Sequence, residues 1–179
     1  TLFDDEGRIA IEGFYDDVLE WDDETRDGIR SLQFDEDELA ASVGAPLAGG
    51  EKAYSVPERL WTRPTCEVNG MLSGYTGEGA KTVLPAKAMA KVSFRLVADQ
   101  DPQRVYELVR EHVAKVAPEG VTVRVEELHG GMPWRARLSG KLQEAATAAL
   151  MKAFGAAPVL AGEGGSIPIV SEFERVLGA

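Results

Sequence analysis

Apolar and polar positions alternate with a period of two in three stretches of the chain, 65–70, 88–96 and 121–126. Successive side chains of a β-strand point to opposite faces, so this alternation predicts three strands. The clearest case is the middle stretch, whose apolar positions are Ala88, Ala90, Val92, Phe94 and Leu96. We expect these five side chains to form the buried face of an antiparallel sheet.

Helical spacing of apolar residues follows the second predicted strand and returns near the end of the chain. Asp101 and Pro102 have the residue types of an N-cap and a first helical turn. The apolar face of that helix comprises Val105, Leu108, Val109, Val113 and Val116. A second helix is predicted from Ser139, as its N-cap, to Gly155, where it ends. Residues 65–127 therefore have the order strand–strand–helix–strand, which is three-quarters of a two-layer α+β sandwich.

The first 60 residues are acidic and contain the start signals of two short helices. Asp35 with Glu38, and Ser55 with Glu58, have the spacing of a capping box, in which each side chain bonds the backbone N–H of the other residue. We expect a connector followed by short helices in this part of the chain, ahead of the sandwich.

Charge and composition narrow the class of protein. The net charge is −11, and residues 1–40 alone, with 15 acidic and 3 basic residues, contribute −12. Such a field repels phosphate backbones, so nucleic acid is not an expected partner. Apolar residues are 44% and charged residues 27%, as in soluble globular proteins, and no apolar run is long enough to span a membrane. A single cysteine, Cys66, excludes an internal disulfide, and we expect a cytoplasmic location.

Motifs for metal or nucleophilic chemistry are sparse. The two histidines, His112 and His129, belong to no His-x-Asp or His-Glu-x-x-His pattern. Ser166 lacks the Gly-x-Ser-x-Gly turn of a hydrolase nucleophile. The acidic runs at 22–24 and 35–38 are typical of solvated helix faces and caps. On motifs alone, the sequence indicates no metal centre.

Polar residues beside glycines, or at predicted strand ends, are the remaining candidates for a ligand site. They include Thr82, Arg95, His129 with the two glycines that follow it, and the stretch 163–166. Glycine lets a backbone approach a small ligand closely, and an arginine can form two hydrogen bonds to a carboxylate. Each residue also has an ordinary alternative: Arg95 as a surface strand residue, Thr82 as a strand former and His129 as a turn residue.

Three blocks, taken together, resemble a known family. They are Gly77–Pro85 running on to Val92–Val97, then Leu128–Trp134, then Gly162–Pro168. In this order and at these distances they resemble the carnosinase-type branch of the dinuclear-zinc peptidases, metallopeptidase family twenty. That family also includes aminoacylases and glutamate carboxypeptidases. The resemblance extends over nearly the whole chain.

The resemblance implies part of a two-domain metallohydrolase that acts on dipeptides, acylated amino acids or similar amides. An α/β catalytic domain would hold two zinc ions, with manganese as the alternative metal, and a ferredoxin-like lid domain would close over the substrate and form a homodimer. Residues 61–128 would be part of this two-layer lid, an antiparallel sheet with helices on one face. Residues 1–60 would be the acidic connector and helices, and 129–179 a partial return segment of the catalytic domain.

The resemblance also assigns substrate-binding roles. The implied residues are Thr82, Arg95, His129, Gly164, Gly165 and Ser166. Arg95 would hold the C-terminal carboxylate of the substrate, and His129 and Ser166 would orient the substrate through polar contacts. Gly162 stands where the family has an arginine.

The metal ligands of the family are missing from the sequence. These ligands are a His-x-Asp pair, an aspartate, a Glu-Glu pair whose first member is the general base, and a late histidine. We therefore expect an internal piece of a larger enzyme, without metal ligands or hydrolase activity of its own. It should associate with itself through an unpaired sheet edge. The alternatives are a free-standing dimerisation or small-ligand-binding module, and a purely structural α+β domain.

Overall fold

A computed structural model of the chain describes residues 2–136, 139–162 and 167–178, except for the side chain of Pro168. The described part has an α+β fold with one two-stranded antiparallel sheet, which confirms the expected class. Its elements are α1 (Asp23–Arg30), α2 (Glu36–Val43), α3 (Val56–Thr62), β1 (Thr65–Ser73), β2 (Ala88–Arg95), α4 (Pro102–Val116), α5 (Lys141–Phe154) and α6 (Pro168–Leu177).

The sheet is a hairpin of β1 and β2 joined by a long loop, residues 74–87. Pairing runs from Thr65 opposite Arg95 to Ser73 opposite Ala88, with a bulge at Asn69. The bulge leaves one residue of β1 unpaired and increases the local twist of the hairpin. Both strands therefore form where the period-two alternation predicts them.

The third predicted strand, 121–126, is not formed, and this part of the sequence-based prediction was wrong. The segment has no regular structure, and Val121 is 56% exposed. It is linked to α4 by the Tyr106 hydroxyl, which donates to the Val125 carbonyl oxygen at 3.4 Å. A strand needs the edge of another strand for its backbone hydrogen bonds. In the described chain the sheet contains β1 and β2 only.

The hydrophobic core joins the N-terminal connector to the hairpin and α4. Its buried members are Ile9, Ile11, Phe14, Cys66, Val105 and Leu108. Phe94 and Leu96 pack against it from the end of β2, as expected. The expected burial of Ala88, Ala90 and Val92 was wrong, because the core covers only the end of the hairpin near Thr65. The core combines side chains from both sides of residue 60, and the division into three regions stays a prediction.

Gln100 connects the end of β2 to the connector. Its side chain is almost fully buried, at 1% exposure. The amide oxygen accepts a hydrogen bond from the Val97 N–H at 3.1 Å, and the amide nitrogen donates to the Phe14 carbonyl oxygen at 3.0 Å. A buried amide needs such partners, because an unsatisfied polar group costs about 1–3 kcal/mol.

The starts of α2, α3 and α4 follow the predicted capping residues. The Asp35 carboxylate accepts from the Glu38 N–H at 2.8 Å at the start of α2. The Ser55 N–H donates to the Glu58 carboxylate at 2.8 Å at the start of α3. Asp101 accepts from two backbone N–H groups in the first turn of α4. These side chains satisfy donors that the helices leave free.

The start of α5 differs from the prediction. Gly140, and not Ser139, is the N-cap residue, with a φ of 90°. This left-handed backbone suits glycine and shifts the first helical residue one place along the chain. The helix ends at Gly155, as predicted, again with a positive φ of 70°. No helix among the described residues is both long and apolar enough to cross a membrane.

Candidate functional site

Thr82 lies in the loop that joins β1 to β2, and its side chain is exposed. The loop makes contacts within itself. The Tyr75 hydroxyl donates to the Glu78 carbonyl oxygen at 3.0 Å, and the Lys81 ammonium lies 5.5 Å from the centre of the Tyr75 ring. The ordinary alternative, in which Thr82 is a strand former, does not hold, because β2 begins only at Ala88.

Arg95 is the last residue of β2, opposite Thr65, and is exposed. It alternates with Phe94, which packs on the core, so Arg95 belongs to the other face of the sheet. The strand from Ala88 to Arg95 has seven residue steps, or about 23 Å. The hairpin loop with Thr82 is therefore attached to the opposite end of the strand from Arg95.

His129 lies in the irregular segment after α4 and is exposed. A Cβ on the next residue, Gly130, would be 3.4 Å from Pro102 Cβ, so this motif passes close to the start of α4. The remaining predicted residues, Gly164, Gly165 and Ser166, lie outside the described residues. Thr82, Arg95 and His129 thus lie in three different segments of the chain, the hairpin loop, the end of β2 and the segment after α4, and their joint substrate site stays a prediction.

A buried ion-pair cluster, which the sequence analysis missed, surrounds Glu58. Its side chain is 1% exposed and accepts hydrogen bonds from Arg26 Nε at 2.8 Å and Arg30 Nε at 3.3 Å. Burial alone would raise the pKa of Glu58, but the hydrogen bonds from Arg26, Ser55 and Arg30 outweigh it and lower the pKa to about 2. This carboxylate therefore stays ionised at neutral pH.

Arg63 is the centre of a second part of this cluster. Its guanidinium forms two hydrogen bonds to Glu51, at 2.9 and 3.0 Å, and a third to Glu20 at 3.1 Å. Arg63 Cζ lies 4.3 Å from the ring centre of Tyr54 and 5.4 Å from that of Tyr15. Burial raises the pKa of the Tyr15 hydroxyl to about 12, so this phenol remains protonated and uncharged at neutral pH.

The carboxylates of the cluster are already bonded to its arginines. Glu20, Glu51 and Glu58 each bond an arginine side chain, which makes them poor candidates for metal ligands. Within the described ranges, no group of three or more His, Cys, Asp or Glu residues is placed to hold a metal ion. The cluster instead ties α1, α3 and the chain between them together. The capping box at Ser55 was its one sequence signal, because it placed Glu58 at a helix start.

The thiol of Cys66 is part of the hydrophobic core. Its pKa is raised to about 11, first by burial and then by the charge of Glu67, so the thiol stays protonated at neutral pH. A protonated, buried thiol is a weak nucleophile. The interpretation of Cys66 as a small core residue is confirmed.

Sequence comparison identifies relatives of both the hairpin region and the whole chain. Residues 8–121 match the profile of the M20 peptidase dimerisation domain. The Cys-Gly metallodipeptidase DUG1 of Candida albicans is 32% identical over 181 residues, covering 99% of this chain and 37% of that protein. The human Beta-Ala-His dipeptidase is 26% identical over 180 residues, covering 99% of this chain and 36% of that protein. The chain thus spans little more than a third of these relatives.

Solved structures of similar proteins have the same fold. An M20 family metallo-carboxypeptidase from Sulfolobus solfataricus, Sso-CP2, superimposes with a TM-score of 0.80 at 37% identity, covering 99% of this chain and 40% of that one. The di-peptidase Dug1p from Saccharomyces cerevisiae superimposes with a TM-score of 0.78 at 29% identity, covering 99% of this chain and 38% of that one. The similarity in sequence covers 99% of the chain and so continues beyond residue 121, where the match to the dimerisation domain ends.

Proposed function

The chain belongs to the M20 peptidase dimerisation-domain family, and from this membership we propose that it is part of a metal-dependent dipeptidase or related amide hydrolase. It contributes a dimer contact and part of the substrate-binding surface. The observation that carries the proposal is the similarity of 99% of the chain to metallodipeptidases, because it includes the segments beyond the dimerisation domain.

Substrate recognition is proposed to depend on six residues, Thr82, Arg95, His129, Gly164, Gly165 and Ser166. Arg95 binds the carboxylate of a dipeptide or acylated amino acid, since a guanidinium matches a carboxylate with two parallel hydrogen bonds. The role is supported by the place of Arg95 at the exposed end of β2, on the sheet face away from the core. His129 and Ser166 orient the substrate through polar contacts.

The metal is proposed to bind in another part of the whole protein. The names of the relatives support a metal, and we infer two zinc ions, with manganese as the alternative. The described residues of this chain do not fit the metal, because the buried carboxylates are already bonded to arginines. The six residues named above are therefore assigned to substrate binding and not to the metal.

Dimer formation is proposed to use the hairpin. The family description supports an interface in this region, and so does the exposed apolar surface of the two strands. Val68, Met71 and Val92 share the sheet face that continues from Phe94, whereas Leu72 and Met89 share the opposite face with Arg95. Exposed apolar patches of this kind mark association surfaces. The cytoplasm remains the proposed compartment of the whole protein.

The experiment is steady-state kinetics of the whole protein with Cys-Gly and β-Ala-His as probe dipeptides. We expect metal-dependent hydrolysis of at least one. Arg95→Ala should raise KM by about tenfold or more, because a hydrogen bond to a charged group contributes about 1.5–3 kcal/mol. Arg95→Lys should recover part of the loss. The matched control is Lys87→Ala, an exposed basic residue beside the other end of β2.

Each outcome separates the proposed role from its alternatives. Unchanged kinetics in Arg95→Ala and in a second variant, His129→Ala, would contradict the substrate-binding role and favour a structural domain. A whole protein that binds its own copies but hydrolyses no dipeptide would favour the free-standing dimerisation module. The 179-residue chain alone should show no hydrolysis in the same assay.

A further inference from the structure

The β2–α4 turn, residues 97–100, is closed by two residues that exchange hydrogen bonds. The Gln100 N–H donates to the Val97 carbonyl oxygen at 3.2 Å, and the Gln100 amide oxygen accepts from the Val97 N–H at 3.1 Å. Between them, Asp99 has a φ of 74°, a left-handed backbone that few residues other than glycine adopt. Such a conformation persists only where the surrounding structure enforces it. The turn therefore has one defined shape, and it begins two residues after Arg95.

Gln100 also fixes this turn to the hydrophobic core. Its amide nitrogen donates to the carbonyl oxygen of Phe14, a residue that is itself 2% exposed. The ring of Phe14 lies 5.7 Å, centre to centre, from the ring of Phe94, which precedes Arg95 in β2. The same core residue thus contacts the end of the strand that carries Arg95 and the turn that follows it.

One face of α4 contacts the segment that contains His129. Pro102 and Tyr106 are four residues apart, so they lie on the same side of the helix. A Cβ on Gly130 would be 3.4 Å from Pro102 Cβ, and the Tyr106 hydroxyl donates to the Val125 carbonyl oxygen at 3.4 Å. These two contacts lie on either side of His129 in the sequence, and they place its segment against the first turns of α4.

The place of this helix face is set by the turn and the core. Val105 and Leu108 of α4 are buried in the same core as Phe14. A regular helix has a fixed rise and rotation per residue, so the positions along its face follow from the place of its start. That start, Pro102, comes two residues after Gln100. A shift of the turn would therefore move the face of α4 relative to the end of β2.

We propose that Gln100 is a positioning residue of the substrate site, which sets the place of His129 relative to Arg95 through the β2–α4 turn and the face of α4. This inference rests on the proposed function, in which Arg95 and His129 bind one substrate. Gln100 acts through the backbone groups that it bonds. A misplacement of about 1 Å at a distant residue is enough to slow a reaction by about two orders of magnitude.

The test is Gln100→Met in the whole protein, assayed with the dipeptide that the wild type hydrolyses. Methionine has a similar length and fills the same space, but it cannot replace the hydrogen bonds to Val97 and Phe14. We expect KM to rise by about tenfold, with a smaller change in kcat, because the residues that Gln100 positions bind the substrate. Gln100→Ala should raise KM by at least as much. The control is Gln103→Ala, on the exposed start of α4, with wild-type kinetics.

A double variant separates positioning from a general loss of structure. Arg95→Ala removes one of the two groups that Gln100 positions, so adding Gln100→Met to it should raise KM by a smaller factor than in the wild type. Factors that multiply in full would overturn the role of Gln100. A second control is Ile29→Val, a buried residue of α1 outside the core that contains Phe14. It should lower the melting temperature and leave KM unchanged.

The two proposals fail in different ways. A metal-loaded whole protein without dipeptidase activity overturns the proposed function, and the positioning role of Gln100 with it. An active wild type in which Gln100→Met has the wild-type KM overturns the role of Gln100 only. A lowered melting temperature with unchanged KM also overturns that role alone, because it indicates hydrogen bonds that stabilise the fold without positioning the substrate.

Discussion

Phe14, in the turns of the N-terminal connector, is 2% exposed, whereas Phe154, the last residue of α5, is 78% exposed. The first belongs to the N-terminal region, which comprises residues 2–66 and 94–109 and whose apolar side chains meet in one core. The second belongs to the C-terminal region, residues 141–178, where α5 and α6 expose their apolar side chains to solvent.

The difference lies in the partners available to each region. The connector, hairpin and α4 are all present, so the N-terminal region can bury its apolar faces within the chain. All residues of α5 are described and none of them is buried, although the helix has its predicted end at Gly155. The chain spans 36–40% of the length of its relatives. The apolar side chains described for α5 and α6 thus stay exposed, whereas those of the N-terminal region meet in a core.

The largest effect is expected from Phe14→Ala compared with Phe154→Ala. Removal of a buried phenylalanine side chain costs about 3–5 kcal/mol, whereas an exposed site costs about 0.5 kcal/mol or less. Urea unfolding of the 179-residue chain, followed by circular dichroism, measures both. Equal losses in the two variants would break the distinction between the regions.

The next largest loss of stability is expected from Glu58→Gln. The folded-state pKa of about 2 lies below the ordinary glutamate value of about 4.3, so the carboxylate stabilises the fold above about pH 4. That contribution disappears as the pH falls from about 4 towards 2. We expect Glu58→Gln to lose about 3 kcal/mol at neutral pH and progressively less as the pH falls below about 4.

The control for this titration is Glu119→Gln, at an exposed turn after α4. Its free energy of unfolding should follow that of the wild type at every pH. The free energy of unfolding of Glu58→Gln could instead lie below that of the wild type by the same amount from neutral pH down to about pH 2. This result would show that the substitution acts through packing and not through charge.

Gln100→Ala tests the link between β2 and the connector. Loss of the amide leaves the Val97 N–H and the Phe14 carbonyl without their partner, at a cost of about 1–3 kcal/mol. Gln103→Ala, on the exposed start of α4, is the matched control and should change stability by less than about 0.5 kcal/mol. If both variants unfold at the wild-type urea midpoint, the buried amide contributes nothing to the N-terminal region.

The smallest effect is expected from a pair of glycines with similar backbones. Gly13 and Gly155 have φ values of 79° and 70°. Alanine is strained by about 1–2 kcal/mol in this region, and at Gly13 its Cβ would also meet Leu108 Cδ2 at 3.3 Å. Gly13→Ala should lower the urea midpoint of the core, while Gly155→Ala should leave it unchanged. A shift of the core midpoint by Gly155→Ala would mean that α5 unfolds together with the core.

Local signals were sufficient to place most elements. The caps at Asp35, Ser55 and Asp101 act through residues three or fewer positions away, so their outcome is visible in the sequence. The segment 121–126 failed as a strand because its hydrogen bonds depend on a distant edge. For the site, the resemblance of the motifs identified Thr82, Arg95 and His129 as candidates. The number of residues between them does not give their distances from one another in the folded chain.

The sequence by itself determined where most helices and strands begin and end, and its glycine-flanked motifs determined the family. Only the tertiary structure decided that Arg63 and Glu58 form a buried cluster, that the connector completes the core, and that Gly130 passes close to Pro102. The physical reason is the distance along the chain over which each interaction acts. Capping and alternation act over a few residues, whereas burial and ion pairing depend on which distant segments the folded chain brings within a few ångströms.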